Sequence, residues 1–265
     1  MPRPIRSPSN PLVKRLVRLR ERRARDAEGV ALVEGAREVV RALEGGWRPR
    51  LIATCAALAS PAAAMVADRL DAAGAERVEL GAAAFTKVSL RQHPDGVLAL
   101  VEPPEFDLDG LSWPADGLYL VVDGLEKPGN LGALLRSADA ADVDAVFVTG
   151  RGTDLHNPNV VRASMGSLFA RPVVAAEPEE LRTALRRHTV RLVITSPHAE
   201  RDLWDADLRG PSAIVLGTEH EGLAPDWLAA ADELVRVPMA GLADSLNVAT
   251  TGALMLFEAR RQRRP

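Results

Sequence analysis

Residues 118–140 run LYLVVDGLEKPGNLGALLRSADA, and the fold class turns on this stretch. Leu118–Val122 is an unbroken apolar run of strand length, without the in–out alternation of a sheet that keeps one face wet. It ends at Asp123-Gly124, and Pro128, Gly129 and Asn130 open a helical pattern through Leu131, Leu134 and Leu135. A strand buried on both faces and followed at once by a helix is the repeating unit of a parallel sheet. Asn130 suits the N-cap of that helix, and Arg136 then lies nearly two turns along it. The same alternation continues to the C-terminus. Strands are expected at 145–148, 173–174, 191–195, 213–216 and 234–237, with helices at 161–168, 178–188, 225–230 and 247–260. An α/β domain with a mostly parallel sheet follows, and such sheets bind ligands beyond the carboxyl ends of their strands.

Upstream, residues 8–27 pattern as one basic helix with Leu12, Val13, Leu16, Val17 and Leu19 forming an apolar stripe. Short strand and helix patterns alternate from Val30 to Val101, which predicts a smaller α/β sandwich. The stretch EPPEFDLDGLSWPAD at 102–116 has no sustained period and is rich in Pro and Asp, as a linker is. The expected domains are 1–102, a linker at 103–116, and 117–265.

The 265 residues are 47% hydrophobic and 26% charged, within the globular range, so wholesale disorder is excluded. A single cysteine, Cys55, permits no internal disulfide, and no Cys/His spacing suggests a bound metal. No apolar run approaches a membrane span, and the basic N-terminus lacks the apolar stretch of a secretory signal. A cytoplasmic protein is expected. The net charge of −3 hides a gradient. Residues 1–27 carry nine basic and two acidic side chains, hence +7, which leaves −10 for the rest. A concentrated basic arm on an acidic body suits a localised phosphate contact, with Lys14, Arg15, Arg18, Arg22 and Arg25 the candidate nucleic-acid-binding residues.

Three strand-exit loops of the larger domain carry polar residues among glycines. The first is Asp123–Gly132, leading to Arg136. The second, Leu216-Gly-Thr-Glu-His-Glu-Gly-Leu223, has glycines at 217 and 222 where backbone amides can approach a ligand, and a carboxylate at Glu219. The third runs from Val237-Pro-Met239 to Ser245-Leu-Asn247-Val-Ala249, with Ser245 expected to begin the last helix. No dinucleotide or phosphate-loop spacing occurs, and no serine-nucleophile elbow.

Together, Pro-Gly-Asn130-Leu-Gly-Ala-Leu-Leu-Arg136, Leu-Gly217-Thr-Glu219-His-Glu-Gly222-Leu and Val237-Pro-Met239…Ser245-Leu-Asn247-Val-Ala249 resemble the three signature motifs of the SpoU (TrmH-like) family. These are RNA ribose 2′-O-methyltransferases of the SPOUT superfamily. The intervening Asn157-Pro-Asn-Val-Val-Arg162-Ala-Ser-Met-Gly-Ser-Leu-Phe169 is also similar to the family, and Thr218 stands where many members carry Asn or Ala. Ser7, Asn10, Lys14, Arg25 and the Val-Glu34-Gly35 strand end resemble the L30e-like substrate-binding domain of two-domain members.

The resemblance implies S-adenosylmethionine as cofactor, held in a deep trefoil knot, with Gly217, Val237, Met239 and Leu246 around it. It implies Asn130, Arg136, Glu219, Ser245 and Asn247 as catalytic residues. It further implies a homodimer through the C-terminal domain. Structured RNA is the implied partner, ribosomal RNA favoured over tRNA. A tRNA methyltransferase, or an RNA-binding factor on the same fold without catalysis, are the alternatives.

Overall fold

The computed structural model describes residues 4–70, 74–152, 154–218 and 222–264, with the backbone alone for 67–70. The chain forms two compact units, Met1–Glu105 with Asp154–Ala170, and Phe106–Thr153 with Arg171–Pro265.

The first unit begins with helices α1 (Pro11–Arg18) and α2 (Arg22–Glu28), followed by β1 (Ala31–Glu34), α3 (Ala36–Glu44) and β2 (Arg48–Thr54). Helix α4 (Pro61–Leu70), β3 (Glu76–Glu79), α5 (Ala82–Val88) and β4 (Val97–Glu102) complete it. The sheet order is β1-β4-β2-β3, with β4 antiparallel to both neighbours and β3 parallel to β2. Alternation along the strands divides two apolar layers. Leu32, Leu51, Leu98 and Leu100 pack with Val13 and Leu16 of α1 and Phe85 and Val88 of α5.

The single basic helix expected over 8–27 is two helices. Its stripe does bury Val13, Leu16 and Leu19, but the chain turns at 19–21. The Arg25 guanidinium donates to the Leu19 carbonyl at 2.9 Å and to the Arg20 carbonyl at 2.6 Å. It thereby satisfies acceptors that the end of α1 leaves open, and helical periodicity cannot register such a contact.

The second unit contains β5 (Leu118–Asp123), α6 (Pro128–Ala140) and β6 (Ala145–Thr149). The chain then forms α7 (Pro158–Ser164) within the first unit, where it packs on β1, before β7 (Val173–Ala175). Helix α8 (Pro178–Arg187), β8 (Arg191–Thr195), β9 (Arg201–Asp202), β10 (Ser212–Leu216), α9 (Pro225–Ala230), β11 (Glu233–Arg236) and α10 (Val248–Gln262) follow. Among the described residues seven strands pair in the order β7-β6-β5-β10-β8-β11-β9, every pairing parallel. The expected parallel sheet is present, and the two-residue edge strand β9 is an addition too short for a periodic signal.

Strands β5, β6 and β10 are buried at nearly every position, as both-face coverage requires. Tyr119, Phe147, Ile194 and Val215 pack with Leu181 and Leu185 of α8 and Trp227 of α9. Trp113, in the stretch without regular structure before β5, stacks on His188 at 4.6 Å between ring centres. Helix α10 packs on α6 and β10. Gly252 permits that approach, since a Cβ there would lie 2.4 Å from Leu134 Cδ2 and 2.7 Å from Leu216 Cδ1.

Candidate active site

Parallel pairing sends the carboxyl ends of β8, β10 and β11 to one edge of the second unit. A cleft of about 540 Å³ opens there. Its walls are the β8 exit (Thr195–His198), the β10 exit (Leu216–Thr218, with Gly222 and Leu223), the β11 exit (Val235–Val237, with Met239), and Asp244–Val248 leading into α10. Leucine, valine and methionine side chains supply apolar wall, while Thr195, Ser196, Ser245, Asn247 and Thr251 supply hydroxyl and amide groups. That mixture and size suit a small organic ligand with a few polar anchors.

The β10 exit is pinched shut. The Thr218 amide donates to the Gly222 carbonyl at 3.0 Å, and Gly222 turns with φ of +70°. A Cβ on Gly217 would sit 2.4 Å from that same carbonyl oxygen, so only glycine fits the pinch. Gly217, Val237, Met239 and Leu246, expected around the cofactor, all line the cleft, as do Ser245 and Asn247. Glu219 lies outside the described residues.

Two capping expectations are corrected. Asn130 is not the N-cap of α6: the helix begins at Pro128 after Lys127, because proline fits the first helical position. Ser245 does not begin α10 either. The helix starts at Val248, and Asn247 is its cap, its Oδ1 accepting from the Ala249 amide at 2.9 Å. Asn247 Nδ2 meanwhile donates to Asn130 Oδ1 at 3.3 Å. One side chain therefore caps the last helix and ties the first motif to the third.

Arg136 lies on α6, six residues beyond Asn130 and hence about 9 Å further along the helix axis. It is exposed, outside the cleft lining, and no hydrogen bond or ion pair joins it to another described residue. At the adjoining exits of β5 and β6, Thr149 Oγ1 donates to Asp123 Oδ1 at 2.7 Å, and the Gly124 amide donates to the Thr149 carbonyl at 2.9 Å. The start of the first-motif loop is thus fixed to the neighbouring strand.

In the first unit the candidate RNA-binding residues differ in availability. Lys14 is exposed. Arg15 and Arg18 are also on the surface, at 2.7 and 3.2 Å from the Glu28 carboxylate, whose pKa they hold below the ordinary glutamate value. Arg22 pairs loosely with Asp26 at 3.5 Å. Arg25 is 2% exposed, committed to two carbonyls and to the Asp154 carboxylate, and so is structural.

Sequence reasoning passed over the Thr195–His198 wall. Its signal was present, a polar turn directly after an apolar strand, but that β8 lies beside β10 is a property of sheet order. Asp244 was likewise unremarked within its loop.

A family model described as the SpoU rRNA methylase family matches residues 117–257, and an MRM3-like substrate-binding domain matches 10–99. A 23S rRNA (uridine(2479)-2′-O)-methyltransferase of Streptomyces viridochromogenes is 33% identical over 92% of this chain and 87% of its own length. Among solved structures, an RNA 2′-O ribose methyltransferase superposes with a TM-score of 0.86 at 46% identity, over 98% of this chain and 99% of that one. The AdoMet-bound rRNA methyltransferase of Sinorhizobium meliloti gives 0.91 at 31% identity, over 99% of both chains. With its parallel sheet, its strand-exit cleft and its three sequence motifs, the chain belongs to the SpoU rRNA methylase family.

Proposed function

We propose that this protein is an S-adenosylmethionine-dependent methyltransferase that modifies a ribose 2′-hydroxyl of structured RNA, 23S ribosomal RNA foremost. The observation that carries the reading is the convergence of Gly217, Val237, Met239, Ser245, Leu246 and Asn247 on one cleft, with Asn130 hydrogen-bonded to Asn247. One relative that shares nearly the full length of this chain bears the name of a 23S rRNA 2′-O-methyltransferase, and another, an rRNA methyltransferase, holds the cofactor.

The apolar walls and the hydroxyl and amide groups of the cleft fit the cofactor, with the Gly217 pinch, Val237, Met239 and Leu246 holding it. S-adenosylmethionine supplies there a methyl group activated by a sulfonium. The residues of the protein must align the ribose oxygen with that methyl group, a source of up to ~7–11 kcal/mol of rate in favourable cases. Asn130, Ser245 and Asn247 are polar groups suited to that orientation, and Glu219 belongs to the same set of sequence motifs. Arg136 stabilises the oxygen as it loses its proton. A guanidinium stays protonated at neutral pH, so its contribution is electrostatic and not that of a base.

The first unit is the RNA-binding module, an L30e-like fold that meets phosphate through Lys14, Arg15, Arg18 and Arg22. Domain limits of 1–102 and 117–265 are supported by the extents of the two matched families, although 154–170 folds with the first unit and 106–116 with the second. The catalytic unit is knotted. In support, α10 follows β11 at the far side of β8 yet packs on α6 and β10, so the chain crosses back over the β8 exit. The active form is a homodimer through the C-terminal domain, which Phe257, 51% exposed on α10, favours. The protein works in the cytoplasm, where ribosomal RNA is modified; among the described residues no helix is long and apolar enough to cross a membrane.

The test is incubation with labelled S-adenosylmethionine and either undermodified 23S ribosomal RNA or bulk tRNA, with Arg136→Ala as control. Label in ribosomal RNA, resistant to alkaline cleavage at one phosphodiester and lost with the variant, is expected. Label in tRNA alone would move the substrate, and absence of cofactor binding would overturn the enzyme reading.

A further inference from the structure

The described lining of the cleft carries an uneven charge. Two side chains with a full charge at neutral pH, Arg236 and Asp244, are among its described lining residues. Arg236 is neutralised, its Nε lying 2.7 Å from Asp202 Oδ1. Asp244 makes no hydrogen bond or ion pair with another described residue, and it is exposed while lining the cleft. The described wall therefore presents one uncompensated carboxylate to whatever enters. A ligand within a cleft of this size sits inside the ~8–10 Å over which physiological salt leaves a charge effective.

We infer that Asp244 is a selectivity residue that favours the positively charged methyl donor over the neutral demethylated product. The inference rests on the cofactor reading above. S-adenosylmethionine and S-adenosylhomocysteine share their adenosine, carboxylate and ammonium groups. They differ by one methyl group and by one positive charge at sulfur. Transfer moves the methyl carbon from sulfur to the ribose oxygen; the C–S electron pair stays on sulfur and the hydroxyl proton leaves to solvent, so the charge is gone. A fixed carboxylate on the wall attracts the ligand before that event and has less hold on it afterwards. It thus opposes product inhibition without touching the reacting atoms. For an exposed carboxylate within several ångströms, screened as at a protein surface, the preference is about threefold to tenfold.

The experiment is titration calorimetry of the full-length protein with three ligands. These are S-adenosylmethionine, S-adenosylhomocysteine, and sinefungin, which carries an ammonium-bearing carbon in place of the sulfonium. Asp244→Asn is expected to weaken the two charged ligands about threefold to tenfold and the neutral one less than twofold. Asp244→Glu should restore the preference, and raising salt should erode it in the native protein and in Asp244→Glu but not in Asp244→Asn. Asp202→Asn, which releases Arg236, should weaken the charged ligands in the same selective way. Equal weakening of all three ligands, or no change in any, would overturn the inference while leaving the cofactor reading intact. Failure of the native protein to bind any of them would overturn both.

Discussion

Asn247 does two things with one amide, and substitution can separate them. Its Oδ1 caps α10 through the Ala249 amide at 2.9 Å, and its Nδ2 reaches Asn130 Oδ1 at 3.3 Å. Asn247→Ala removes both. Loss of an N-cap is worth about 1 kcal/mol, and loss of a neutral hydrogen bond about 0.5–1.5 kcal/mol. The length of the second bond places it toward the lower end. The total is about 1.5–2 kcal/mol, which for a chain of this size lowers Tm by roughly 3–8 °C. Asn247→Asp keeps an acceptor at the cap, where Asp and Asn are about equal, and gives up only the donor. It should lie about 1 kcal/mol above the alanine variant in stability. Calorimetry on Asn247→Ala, Asn247→Asp, Asn130→Ala and the double alanine variant measures each step. The two alanine substitutions should be non-additive by about 0.5–1 kcal/mol, as expected for a contacting pair. Cofactor affinity should fall in both Asn247 variants, because the residue lines the cleft. An Asn247→Asp protein as unstable as Asn247→Ala would refute the capping role. Strict additivity with Asn130→Ala would refute the energetic link between the first and third motifs.

Two further outcomes follow from the geometry. Gly217→Ala sets a Cβ 2.4 Å from the backbone oxygen of Gly222, so the loop must open and the Thr218 bond is lost; cofactor affinity should fall at least about tenfold, or about 1.4 kcal/mol, with Tm nearly unchanged. Equilibrium dialysis checks it, and native affinity would show that the pinch does not shape the site. His156 in the first unit meets Trp47 edge-on at 5.4 Å, and burial pushes its pKa below 6.5 against the pull of Asp154. The neutral imidazole is favoured in the fold, so its contribution is present above pH 6.5 and drains away as pH falls through the lowered folded value. Its slope is at most ~1.4 kcal/mol per pH unit, one proton's worth. Urea unfolding of the native protein and His156→Phe between pH 7.5 and 5 should show the native protein losing stability more steeply, and parallel curves would contradict the assignment.

Much of this protein is set by local sequence. Unbroken runs such as Leu118–Val122 and 213–216 identify buried parallel strands, because alternation disappears when both faces are covered. Glycine at 217 and 222, beside polar residues, marks a strand-exit loop suited to close approach, and the three motifs together identify the family. These signals are short-range, carried by neighbours in the chain.

Tertiary structure decided what depends on residues far apart in sequence. The order β5-β10-β8-β11 brings Thr195–His198 to the same cleft as Gly217 and Val237. Pairing across the sheet is a long-range choice that no single run encodes. Arg25 is indistinguishable in sequence from Arg22 or Arg18, yet Asp154, 129 residues away, and two backbone carbonyls claim it. Likewise Asn247, expected as a catalytic residue, also caps α10, and its hydrogen bond to Asn130, 117 residues away, exists because α10 packs on α6. Hydrophobic period specifies which face of an element is buried, but the partners of a polar side chain are fixed only when the elements pack.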